Sequence, residues 1–264
     1  MTASPSTDAH PPASPTPLWK SYLAFLGPMI FSNFLQSVSG TVNNIYLGQM
    51  LGVKAMAAVS AFFPVLFFLI AFMIGLGSGA SVLIGQAWGA RELDRVKAIA
   101  GTTLMTGLVA GLVVAVFGGG FAHMMLVALG TPDDILPGAT AYARIMLIAA
   151  PGVFTFLLVT SMLRGVGDTR TPLLTLLMSA AVGLLLTPAL IRGWLGLPMM
   201  GVTSGAWAAV ASYLIALAWT ARHLLRKHHA LAPDAAFRRH LRIDRALLAK
   251  VLRIGLPTGL SMMT

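Results

Sequence analysis

Cysteine does not occur anywhere in the 264 residues, which excludes disulfides, thiolate nucleophiles and cysteine-ligated zinc. Charge is nearly as scarce. Lys, Arg, Asp and Glu make up 10% of the chain, against about 25% in soluble domains, so a water-soluble globular fold is excluded. No residue between Lys20 and Lys54, or between Lys54 and Arg91, is ionised at neutral pH. Each interval exceeds the roughly 20 apolar residues that a helix needs to cross a hydrocarbon core about 30 Å thick. The eight acidic residues all fall outside the apolar runs. The first 17 residues lack the basic start and short apolar core of a cleavable signal. With Pro5, Pro11, Pro12, Pro15 and Pro17 among small polar residues, residues 1–18 are expected to form a disordered tail.

What the chain does contain is apolar residues, 57% of the total. Six runs are long enough to span, near 22–47, 55–84, 97–121, 138–162, 171–191 and 201–221, and a seventh starts near Ala246 and reaches Thr264. The fold class is therefore an all-α membrane protein, a six-transmembrane-helix bundle plus the start of a seventh helix, with the lipid bilayer as its first partner. The net charge of +10 would suggest nucleic acid in a soluble protein. Here the basic residues sit between apolar runs without stacking aromatics, so they orient helices and no nucleic acid is expected. One alternating set of segments holds fifteen Lys and Arg, nine of them from Arg222 to Arg253, while the other set holds Lys54, Arg144 and Arg192. By the positive-inside rule the N-terminus and the 222–245 loop face the cytoplasm.

That division predicts a lobe over 19–222, a cytoplasmic linker over 223–245 with an amphipathic stretch at Phe237-Arg238-Arg239-His240, and a second lobe beginning at 246–264. Setting Pro28 against Pro257 also pairs Leu23 with Leu252 and Ser32 with Ser261, as in a parallel repeat. A chain that stops inside an apolar run, eleven residues after Arg253, is expected to be a truncation. A half-transporter that pairs with a copy of itself, or with another protein, is the other possibility.

Polar groups inside a membrane cost free energy and are the first functional candidates. The first span carries Asn33, Gln36, Gly40, Asn43 and Asn44, which at about 100° per residue share an arc of roughly 100°. Lipid cannot satisfy such a stripe, so it must face other helices or a water-filled cavity. Pro28 in the same span removes a backbone hydrogen bond and predicts a bend or hinge. Glycine pairs at four-residue spacing (Gly75 with Gly79, Gly107 with Gly111, Gly201 with Gly205) predict close helix packing. The run Gly165-Val166-Gly167-Asp168-Thr169 follows a helix rather than a strand, which excludes a phosphate loop. It reads as a turn in which Asp168 or Thr169 caps the next helix, with Pro172 in the first turn. The 15 methionines are mostly core filling, with soft surfaces for varied ligands as the alternative.

These segments resemble, in order, the multidrug and toxic compound extrusion (MATE) family. The resemblance rests on Leu26-Gly27-Pro28, Val42-Asn43-Asn44-Ile45-Tyr46-Leu47-Gly48, Ala57-Ala58-Val59-Ser60, Gly85-Gln86-Ala87-Trp88-Gly89-Ala90, Arg164 through Pro172, and Arg253-Ile254-Gly255-Leu256-Pro257. It implies the first lobe of a twelve-helix transporter whose central cavity opens alternately to each side. It also implies a bacterial inner membrane and export of small cationic or amphipathic compounds against H+ or Na+, without a cofactor, the C-terminal lobe being missing. The candidate cavity residues are Asn33, Gln36, Asn43, Asn44 and Thr187, with Pro28 as the hinge. Members of the family typically carry Asp where this chain has Asn43, and many carry Asn and Asp where it has Gly183 and Thr187. None of these three residues can exchange a proton near neutral pH. Either the coupling carboxylate lies in the second half, or Asn43 and Thr187 lend neutral oxygens to Na+; no other metal is implied.

Two other classes were weighed against export. A lipid-linked precursor flippase would place basic residues in its cavity to hold phosphates, and the spans are expected to contain none well inside. A membrane enzyme needs a nucleophile with a base, or a metal set. His123 stands near a span without a partner carboxylate, and no enzyme is expected.

Overall fold

A computed structural model describes residues 18–194, 200–227, 229–233, 237 and 239–261. Residues 1–17 of the expected tail, Arg238 and residues 262–264 lie outside them, while Leu18 already belongs to the first helix. Nine α-helices follow in order among the described residues: α1 (Leu18–Leu51), α2 (Val53–Gly89), α3 (Leu93–Val113), α4 (Gly119–Ala128), α5 (Leu136–Ile148), α6 (Ala150–Gly165), α7 (Arg170–Arg192), α8 (Ser204–Arg226) and α9 (Arg245–Leu260). A π-helical turn at Val114–Gly118 joins α3 to α4, so the third expected span runs on to Ala128. Four spans are long and apolar enough to cross a membrane: α2, α3 with α4, α7, and Gly201–Arg226. The chain is a multi-pass membrane protein.

The expected straight span over 138–162 is instead two helices, α5 and α6, bent by 55°. Pro151 lies in the first turn of α6. Its missing N–H and its ring prevent α5 from continuing unbroken, and the bent pair counts as a fifth span. α1 has 34 residues, ample for a crossing, but its amides dilute the apolar run.

Glycine sets the tightest helix contacts. A Cβ on Gly75 would sit 2.8 Å from the Gly255 carbonyl oxygen, and one on Gly79 would overlap the carbonyl oxygen of Val251. The first expected pair thus seats α9 against α2, backbone on backbone. Gly111 meets the Pro151 backbone at 2.6 Å by the same measure, and Gly107 meets Leu158, which packs α3 on α6. The third pair behaves otherwise. Gly201 has open space around it and a φ of +53°, so a turn rather than packing needs a glycine there. Only Gly205 meets a neighbour, the Leu47 side chain at 3.3 Å.

The stretch after α8 is docked rather than lying free on the surface. Leu231, Ala232 and Phe237 are buried in one core with Val96, Ile99 and Leu224. The Thr102 hydroxyl donates to the Arg242 carbonyl at 3.0 Å, and Gly101 leaves room for the carbonyl of His240. Asp168 accepts from the N–H groups of Arg170 (3.1 Å) and Thr171 (3.0 Å) and from the Thr171 hydroxyl; Asp168, not Thr169, therefore caps α7. Asp168→Ala is expected to cost about 1–2 kcal/mol, read as a lower melting temperature of the purified chain, while Thr169→Ala leaves it nearly unchanged.

Candidate functional site: a polar cavity between α1 and α7

Along α7, Leu176, Ser179, Ala180, Gly183 and Thr187 recur at helical spacing, giving one face of mostly small side chains. The amide stripe of α1 faces it. Between them, closed by α2 and α8, is a cavity of about 450 Å³. Gln36, Ser39 and Asn43 line it from α1, Ser179, Gly183 and Thr187 from α7, Ser212 and Tyr213 from α8, and Phe63 and Ile70 from α2. The Thr187 hydroxyl donates to Asn43 Oδ1 at 3.0 Å, tying the two long helices together. Thr187 is 1% exposed, so this bond satisfies a group with no access to solvent. Among the described lining residues none is charged. The cavity can hydrogen-bond a guest through amides and hydroxyls and stack on Phe63 or Tyr213, but it offers no counter-ion.

Of the residues proposed from sequence, Gln36, Asn43 and Thr187 come together here. Asn33 and Asn44 are exposed and do not line the cavity. They stand at one edge of the α1 stripe, while Ser39, just outside the other edge, faces inward; the true facing direction is rotated by about 50–60° from the centre of the stripe. Pro28 lies inside an unbroken α1. The Ser32 hydroxyl donates to the Pro28 carbonyl at 2.6 Å, a bond that competes with the helix ladder beside the missing proline N–H.

Arg144 corrects an expectation. It was grouped with the loop cations, and the spans were expected to hold no basic residue well inside, yet it stands eight residues into α5. It is absent from the cavity lining. Sequence reasoning also missed Ser39, Ser179, Ser212 and Tyr213. The four-residue spacing of Ser179, Gly183 and Thr187 was a readable signal on α7. Nothing in the sequence singled out Ser212, which reaches the site because Gly183 has no side chain: a Cβ there would lie 3.2 Å from Ser212 Oγ.

A MatE family model matches residues 28–189. The chain belongs to the MatE family. It is 42% identical over 245 residues to "Probable multidrug resistance protein YoeA" of Bacillus subtilis, covering 93% of this chain and 53% of that protein. It is 29% identical to an "FAD transporter" of Shewanella oneidensis, covering 80% of this chain and 46% of that one. A solved structure described as the outward-facing conformation of a multidrug resistance MATE family transporter superposes with a TM-score of 0.82 at 25% identity, over 92% of this chain and 52% of its own. The chain spans about half the length of the relatives it matches.

This MatE chain also gathers titratable groups at the opposite end from Lys54. His229 Nδ1 accepts from the Leu231 N–H at 3.2 Å, and Nε2 lies 3.8 Å from the Asp168 carboxylate. Burial holds the His229 imidazole below the ordinary histidine value near 6.5; Asp168 opposes this, and His223 and Lys227 reinforce it. With the folded value depressed, the docked state keeps its full stability above about pH 6.5 and loses it as pH falls through the folded value. Protonation at Nδ1 also removes the acceptor for Leu231. Hydrogen exchange at Leu231, corrected for intrinsic rates, is expected to accelerate between pH 7.5 and pH 5.5 in the native chain and to lose that dependence in His229→Ala.

Proposed function

We propose that this chain forms a cavity-bearing lobe of a secondary multidrug exporter in a bacterial inner membrane, with its N-terminus and the docked residues Leu231, Phe237 and Arg242 on the cytoplasmic side. The carrying observation is the half-open cavity of about 450 Å³, with amides and hydroxyls set in a mostly apolar wall, a volume suited to one drug-sized molecule. The names of the relatives support export of small molecules, and the flavin relative widens the chemistry beyond simple cations. Coupling is assigned to a carboxylate outside the described residues, because Asn43 and Thr187 are neutral and already bonded to each other. A Na+ site on their two oxygens is the second reading of the coupling. A flippase is disfavoured because the described cavity lining holds no cation for a phosphate.

The test is dye efflux from drug-sensitive cells expressing the chain, beside cells expressing a version extended through a second lobe, at matched membrane levels. Efflux by the extended version that stops when one ion gradient is collapsed supports the reading and names the ion. Absence of efflux from both, despite correct insertion, overturns it.

A further inference from the structure

Arg144 serves neither the cavity nor any ion pair among the described residues, although it lies in the middle of a helix. Its Nε donates to the Gly119 carbonyl at 3.2 Å, at the end of the π-helical turn. Its four other N–H groups meet no acceptor among the described residues, and a guanidinium presents them as a planar fork. The helices here run antiparallel, and a Cβ on Gly119 would lie 3.0 Å from Ile148 Cγ1. Stepping one turn toward the Lys54 end from that contact places His123 level with Arg144. Both are exposed.

Around them the surface is apolar: Phe117, Phe121, Met124 and Ile148 are 61%, 58%, 69% and 57% exposed. The cavity opens between other helices, and α9, which leads onward along the chain, sits on α2. This seam lies apart from both, and its side chains are exposed. Arg144 lies eight residues beyond the start of α5 and His123 five residues before the end of α4, which is roughly 8–12 Å below the helix ends at 1.5 Å per residue. A guanidinium held on the Gly119 carbonyl stays at that depth, where local thinning of the bilayer brings a headgroup within its reach.

We propose that Arg144, with His123 beside it, binds the phosphate of an anionic phospholipid in the leaflet at the Lys54 end. The occupant is an acidic lipid rather than a protein carboxylate because the exposed side chains of this seam, Met124 and Ile148 among them, are apolar and can lie along acyl chains. The Nε bond to Gly119 holds the guanidinium in place, so the lipid also fastens the α4–α5 seam over the π-helical turn. Arg144 serves here as a binding residue, separate from the transport cavity.

Native mass spectrometry of the whole chain tests this, with phosphatidylglycerol and phosphatidylcholine of identical acyl chains as probes. The native chain is expected to retain phosphatidylglycerol roughly tenfold more tightly than phosphatidylcholine. Arg144→Gln removes that preference, Arg144→Lys keeps part of it because ammonium is a point charge, and His123→Ala, at an exposed position, weakens it while the fold is kept. Inorganic phosphate at matched concentration does not displace the lipid. Equal retention of both lipids by the native chain, or an unchanged preference in Arg144→Gln and His123→Ala, overturns the proposal. So does displacement by inorganic phosphate, or an effect of these variants on chain dimers instead of on lipid adducts.

Discussion

Gly79→Ala is expected to force α9 away from α2 and to give one of the larger stability losses of any methyl added at a described glycine. The new Cβ would overlap the Val251 carbonyl oxygen, and backbone cannot step aside as a flexible side chain can. Gly75 and Gly255 meet in the same seam, so the two helices must separate along several turns, with loss of dispersion contacts that no hydrophobic effect replaces in lipid. Overpacking of this kind costs about 1–3 kcal/mol, visible as a fall in melting temperature in detergent. Gly27→Ala is the control, since nothing lies within 4 Å of that position and alanine favours the helix by about 1 kcal/mol. Equal melting of the two variants would show that α9 does not dock on α2.

Asn43→Leu in a transporter extended through its second lobe is expected to cut export about tenfold or more at unchanged membrane abundance. The substitution removes the 3.0 Å bond from Thr187 and leaves that hydroxyl buried among apolar atoms, at a cost of about 1–3 kcal/mol. It also replaces an amide at the cavity wall by a group that cannot bond a polar guest. Asn43→Asp is nearly isosteric and separates the two effects. It keeps an acceptor for Thr187 but introduces a titratable acid, so export should acquire a pH dependence that the native protein lacks at this position. Unchanged export in both variants would reduce the Asn43–Thr187 bond to a packing contact.

Much of the architecture was legible in the sequence because a bilayer imposes rules that act on short segments. Every backbone group must be satisfied within its own helix, so an uncharged run such as Lys54 to Arg91 could only be a spanning helix. Asp168 could be recognised as a cap because capping involves atoms within three residues. The stripe on α1 was visible for the same reason, and it contains Gln36 and Asn43, which the structure places in the cavity wall.

The rest depended on which helix stands beside which. Asn33 and Asn44 belong to the same stripe as Asn43, and only the rotation of α1 against α7 and α8 turns them out of the cavity. Ser212 enters the site across an α7–α8 contact that Gly183 permits. The docking of Arg242 and His240 on α3 likewise rests on distant partners, Thr102 and Gly101. Helical periodicity and charge segregation are local and are written residue by residue, so the sequence alone determined a multi-pass helical membrane protein with a polar first span. Rotation, depth and neighbour identity follow from the packing of side chains far apart in the chain. Only the tertiary structure, accordingly, decided that Asn43 meets Thr187, that Gly79 seats α9, and that Arg144 bonds the Gly119 carbonyl.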